Sequence, residues 1–106
     1  MYKKIRMNPQ VLSSMFIGFQ RRLFSAPKEN DMFSISEGDG DCTIFFKDEF
    51  WQKYVEQLQR AKDEGRFASS NANSRWNTLL SFVKSATICE LPDNCKDYSI
   101  GLKMYM

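Results

Sequence analysis

The sequence predicts an α+β fold, a small antiparallel sheet covered on one face by two to three helices. Three patterns predict it. Apolar residues alternate on both sides of Gly38-Asp39-Gly40-Asp41, which marks a β-hairpin over residues 32–46. They recur every three or four residues over 9–24, 48–64 and 74–86, as helices require. They alternate once more from Tyr98 towards Met106, which predicts C-terminal strands closing the sheet. A chain of 106 residues buries roughly 60–70% of its unfolded surface around one core, so a single domain over 1–106 is expected, folding alone or as a small oligomer.

In chain order, residues 2–7 read as a short edge strand on which Lys3 and Lys4 discourage further pairing. Asn8 followed by Pro9 is a helix start, and Leu12, Met15, Phe16, Phe19 and Leu23 then fall on one helical face. Residues 26–31 are a loop by composition. In the hairpin, Phe33 and Ile35 alternate on the first arm and Cys42, Ile44 and Phe46 on the second, so Phe45 points to the opposite face. Asp48 is placed to cap a helix carrying Trp51, Tyr54, Val55, Leu58 and Ala61, with Gly65 as its left-handed C-terminal residue. Residues 69–74 read as a flexible polar joint, after which Ser74 caps a helix with Trp76, Leu79, Leu80 and Val83 inward. Thr87–Leu91 is β-permissive, and Pro92-Asp93-Asn94 is a turn.

Several chemistries lose their usual equipment. The chain has no histidine, which removes Ser-His and Cys-His nucleophile systems, and it has neither a Walker-type phosphate loop nor a dinucleotide-binding Gly-x-Gly-x-x-Gly. Five residues separate Cys89 from Cys95, too many for a zinc Cys-x-x-Cys pair. Neither enzymatic activity nor a cofactor or metal is expected. Three cysteines, with no charged-then-apolar leader, point to a reducing cytoplasmic compartment. No apolar run approaches the roughly 18–20 residues that cross a bilayer, so no membrane partner is expected. Cys42 reads as a small buried hydrophobe, and Cys95, in a turn, as exposed and reactive.

Charge is unevenly distributed along the chain. Residues 1–28 carry Lys3, Lys4, Arg6, Arg21, Arg22 and Lys28 with no acid, and all thirteen acids lie beyond them. Two partner surfaces are therefore expected. The leading reading is a non-catalytic inhibitor or adaptor that binds a protein partner through the acidic hairpin tip, Glu37, Asp39 and Asp41, with aromatic anchors. The alternative is nucleic-acid binding through Lys3, Lys4, Arg6, Arg21 and Arg22, with Phe45 as a stacking ring. A third class, a metal-dependent phosphodiesterase, would draw on Asp39, Asp41 and Asp48. The stretch Gly40-Asp41-Cys42-Thr43-Ile44-Phe45-Phe46, with Trp51 and the later Glu90-Leu91, resembles half of an MraZ-type swapped-hairpin transcription regulator. It covers under half of the chain and lacks that family's Asp-x-x-x-Arg repeats, so the resemblance adds weight to the nucleic-acid alternative without assigning the family.

Overall fold

A computed structural model describes residues 1–103. The chain runs β1 (Tyr2–Met7), α1 (Pro9–Gln20), β2 (Met32–Ser36), β3 (Cys42–Lys47), α2 (Asp48–Asp63), α3 (Ser70–Lys84), β4 (Thr87–Cys89), β5 (Lys96–Asp97) and α4 (Tyr98–Lys103). The strands form one antiparallel sheet in the order β4-β1-β3-β2-β5, giving the α+β fold that the patterns predict. Strand β1 is not an edge. It pairs Ile5 with Ile44 on one side and Lys3 with Ile88 on the other, a contact with a distant three-residue strand that local charge cannot announce.

Register decides the two faces. Ile5, Met7, Ile44, Phe46 and Met32 point to one side and merge with Met15 and Phe19 of α1, five residues of α2, and Leu79 and Phe82 of α3 into a contiguous core. In α2 the buried set is Phe50, Trp51, Tyr54, Leu58 and Ala61, the stripe read from sequence with Phe50 added and Val55 only partly buried. Burial pushes the Tyr54 phenol well above its ordinary value, so it stays neutral. On the other side of the sheet Phe45 is buried between Lys4 and Phe33 of the neighbouring strands.

Three helix boundaries depart from expectation for local reasons. Lys47, not Asp48, precedes α2; Asp48 is its first residue, with one carboxylate oxygen buried and unpartnered, and so caps nothing. Helix α3 starts earlier than Ser74, because the Ser69 hydroxyl accepts a hydrogen bond from the Ala72 amide at 3.2 Å and Ala72 packs on the core. The polar joint at 69–74 is therefore mostly helix. The strand expected from Tyr98 onward is α4 instead, and residues 104–106 lie outside the described residues. Tyr98 and Leu102 share a face at period two and also at a spacing of four, and Ile100, half exposed, shows which applies.

Asp97 settles that choice. Its carboxylate accepts from the Ser99 amide at 3.0 Å and from the Ser99 hydroxyl, and Ser99 is fully buried. Burial raises the Asp97 carboxyl, but hydrogen bonds from Ser99, Asn30 and Ile100 outweigh it and hold the group below its ordinary value. Asp97→Ala is expected to lower stability by about 1 kcal/mol at neutral pH, as loss of a helix cap does. A carboxyl whose folded value is depressed stabilises above the ordinary carboxylate range and ceases to as pH falls through the folded value. Urea unfolding at pH 7 and pH 3 should therefore show the gap between variant and parent narrowing in acid.

Candidate functional site

The acidic hairpin tip has a basic neighbour. Arg6, on the outer face of β1, donates to Asp39 and lies 3.6 Å from Asp41. The Asp41 amide and then the Arg6 guanidinium hold the Asp39 carboxyl below its ordinary value. Glu37 closes the loop through its amide to the Asp41 carbonyl at 3.1 Å. These side chains are exposed, Asp41 less so than the others, so the ion pairs add little stability, and Arg6 cancels one of the tip's three negative charges. Asp48 sits at the far end of β3 from Asp39 and Asp41, and among the described residues no three Cys, Asp or Glu side chains come together as a metal ion would need.

The basic N-terminal segment is divided in the same way. Lys3 and Lys4 lie on β1, Arg6 is taken up by the tip, and Arg21 and Arg22 lie beyond the end of α1. Phe45 is 4% exposed, so its ring has no free face on which a base can stack, which corrects its reading as a stacking residue. Cys95 is half-buried, and burial followed by the neighbouring Cys89 pushes its thiol up, away from the reactive thiolate expected in an open turn.

What the structure assembles instead is a set of arginines drawn from the ends of α1 and α2 and from within α3. Helix α1 stops where the Arg22 amide bonds the Phe19 carbonyl at 3.1 Å and the Leu23 amide bonds the Gly18 carbonyl at 3.0 Å. Helix α2 stops identically: Gly65 to Lys62 at 3.0 Å, Arg66 to Ala61 at 3.0 Å. This double bond pattern needs a left-handed residue after the cap, supplied at φ 80° by Gly65 and at φ 58° by Arg22. Only glycine adopts that conformation freely.

The two helix ends face each other across a cleft of about 720 Å³ lined by Arg22, Arg60 and Arg66, together with Ser25, Gln57 and Glu64. Gln57 fixes the loop after α1, accepting from the Ser25 amide and donating to the Ser25 hydroxyl at 2.9 Å. A second cleft of about 340 Å³ shares Leu23, Phe24 and Arg66 with the first and adds Arg21 and Arg75. Glu64 is the single acid lining either cleft, and it accepts from Arg66 Nε at 3.1 Å. Two helix C-termini contribute about one negative charge between them. Against five guanidinium groups, that charge and Glu64 leave this end of the molecule clearly positive.

Of the sequence-predicted residues, only Arg21 and Arg22 belong to this cluster. Arg60, Arg66 and Arg75 were missed because they are scattered through a segment whose acids outnumber its bases. The one available signal was Gly65, which fixes the end of α2 and so places Arg66 just beyond it. Among the described residues no helix is long and apolar enough to cross a membrane. No protein-family model, curated protein or solved structure matches the chain, and the resemblance to MraZ-type regulators gains no support.

Proposed function

We propose that the protein is a small non-catalytic binding protein, an inhibitor or adaptor that seats its arginine-rich end on an acidic face of a protein partner. The observation that carries this reading is the convergence of Arg21, Arg22, Arg60, Arg66 and Arg75 on two adjoining clefts whose one acid is already paired. Arginine suits such a role because its planar fork binds carboxylates bidentately and sheds its hydration readily. The tip of Glu37, Asp39 and Asp41 is the secondary surface, since Arg6 lies against two of its carboxylates and offsets one of its three charges.

Protein immobilised and exposed to extract of its native host tests the reading. Arg21→Glu with Arg75→Glu should abolish salt-sensitive capture of a protein partner, and Asp39→Lys with Asp41→Lys should leave it intact. The opposite pattern would move the interface to the tip. The nucleic-acid reading keeps a claim because Arg21 and Arg22 lie at the same end. Phosphate neutralisation makes affinity fall steeply with salt, so a mobility shift at low salt that vanishes at high salt and in the arginine variant would favour it.

A further inference from the structure

We infer that the cleft between the ends of α1 and α2 is a binding site for a multiply charged phosphate ester of nucleoside-diphosphate size, its phosphates held by Arg22, Arg60 and Arg66. The inference goes beyond the macromolecular docking proposed above and stands without it, because a small ligand can occupy this cleft whether or not a partner covers the rest of the arginine end.

Arg22 gives the first argument. The two helices end in the same hydrogen-bond pattern, and at equivalent positions one has Gly65 and the other Arg22, both at positive φ. An arginine backbone in the left-handed region is strained where glycine is not. A strained residue whose side chain lines a cleft indicates that the side chain has a use there. The last turn of α1 carries no basic residue, so Arg22 also complements the dipole there, but that role asks only for a cation near the helix end and not for one at the left-handed position on the cleft wall.

The composition and size of the cleft give the second. Of its neutral polar lining, Ser25 and Gln57 are tied together by hydrogen bonds and form a fixed wall. Three guanidinium groups exceed what one carboxylate needs, and one of them, Arg66, is partly offset by Glu64. They suffice in number for the oxygens of two linked phosphates, which accept paired N–H donors. A volume of about 720 Å³ lies within the range of small-molecule sites and far exceeds a lone inorganic ion. The phosphates could come from a free nucleotide or from a single strand laid through the cleft, and the experiment separates the two.

Calorimetric titration of the full chain with ADP, with pyrophosphate, with a thymidylate oligonucleotide and with poly-glutamate tests the site. ADP and pyrophosphate should bind with a Kd of about 50 μM, an ordinary affinity for an open polar site. Arg22→Gly should weaken binding at least tenfold while the melting temperature holds or rises, a combination that damage to the fold cannot produce. Arg60→Gln should weaken it similarly with an unchanged melting temperature. Binding of the oligonucleotide alone, with the same dependence on Arg22 and Arg60, would support the site and assign its phosphates to a strand. The inference is overturned if neither phosphate ligand nor oligonucleotide binds at millimolar concentration, or if Arg22→Gly binds as the parent does. Poly-glutamate binding through these arginines without ADP or pyrophosphate would also overturn it, and would return the cleft to the protein-docking surface.

Discussion

Phe46→Ala is expected to destabilise the protein by about 4 kcal/mol, a large share of the 5–15 kcal/mol by which small domains are stable. The ring is fully buried near the end of β3, the middle strand of the sheet, where the sheet meets both long helices. It stacks on Phe50 at 6.1 Å, tilts against Trp51 at 5.0 Å and meets Phe82 of α3 edge-on at 6.0 Å. Removing it forfeits its transfer free energy and leaves a hole whose walls are other rings. Those rings are in turn held by Tyr54, at 6.0 Å from Trp51 and 6.3 Å from Phe82, so the site collapses poorly. Urea unfolding should show a lower midpoint with the slope unchanged, and Phe46→Leu should recover more than half of the loss. A cost below about 1 kcal/mol would mean that the sheet and helices do not share one core.

The same residue shows what was legible. Phe46 and Ile44 were placed inward by alternation about a Gly/Asp turn, and Phe45 outward, all from a few adjacent residues. Helix α2 was equally readable because its stripe, its acidic first turn and Gly65 agree. The misreadings have one physical source, which is that distant contacts outvote local preference. β1 became interior because β4, more than eighty residues later, pairs with Tyr2–Lys4. The stretch 69–74 became helix because Ser69 caps it and Ala72 finds the core. Period two was mistaken for a strand at Tyr98 because the Asp97 carboxylate, which starts a helix there by accepting from Ser99, leaves the alternation of Tyr98, Ile100 and Leu102 unchanged.

The arginine-rich end was half legible for a related reason. Sequence shows a charge only where charges are neighbours along the chain, and so revealed Arg21 and Arg22 but also Lys3, Lys4 and Arg6, which the fold sends elsewhere. Arg22 carries a further signal that no sequence pattern reveals. A glycine after a helix announces a left-handed cap, whereas an arginine in that place conceals one.

Gly18→Ala is expected to destabilise the protein by about 2 kcal/mol, against the sign that helix propensity alone would give. In an exposed helix interior the change would stabilise by roughly 1 kcal/mol, since alanine surrenders less backbone entropy than glycine. Here a Cβ would lie 2.3 and 2.4 Å from two ring carbons of Phe24, less than any normal contact. That ring is buried, 4.9 Å from Tyr54 and 6.4 Å from Phe19, and has no room to retreat. The main chain is tied as well, because the Leu23 and Phe24 amides both donate to the Gly18 carbonyl, at 3.0 and 3.4 Å. Relief therefore requires the whole turn after α1 to shift, and with it Arg22 and Ser25 on the wall of the larger cleft. Overpacking of 1–3 kcal/mol or more outweighs the propensity gain, and the melting temperature should fall by about 10 °C. Shrinking the obstructing ring distinguishes a steric clash from a backbone effect. Phe24→Leu alone should be destabilising, yet in the Gly18→Ala background it should cost much less, because the two changes compensate in the same space. Strict additivity of the two losses, or a Gly18→Ala variant as stable as the parent, would show that Phe24 does not pack against Gly18.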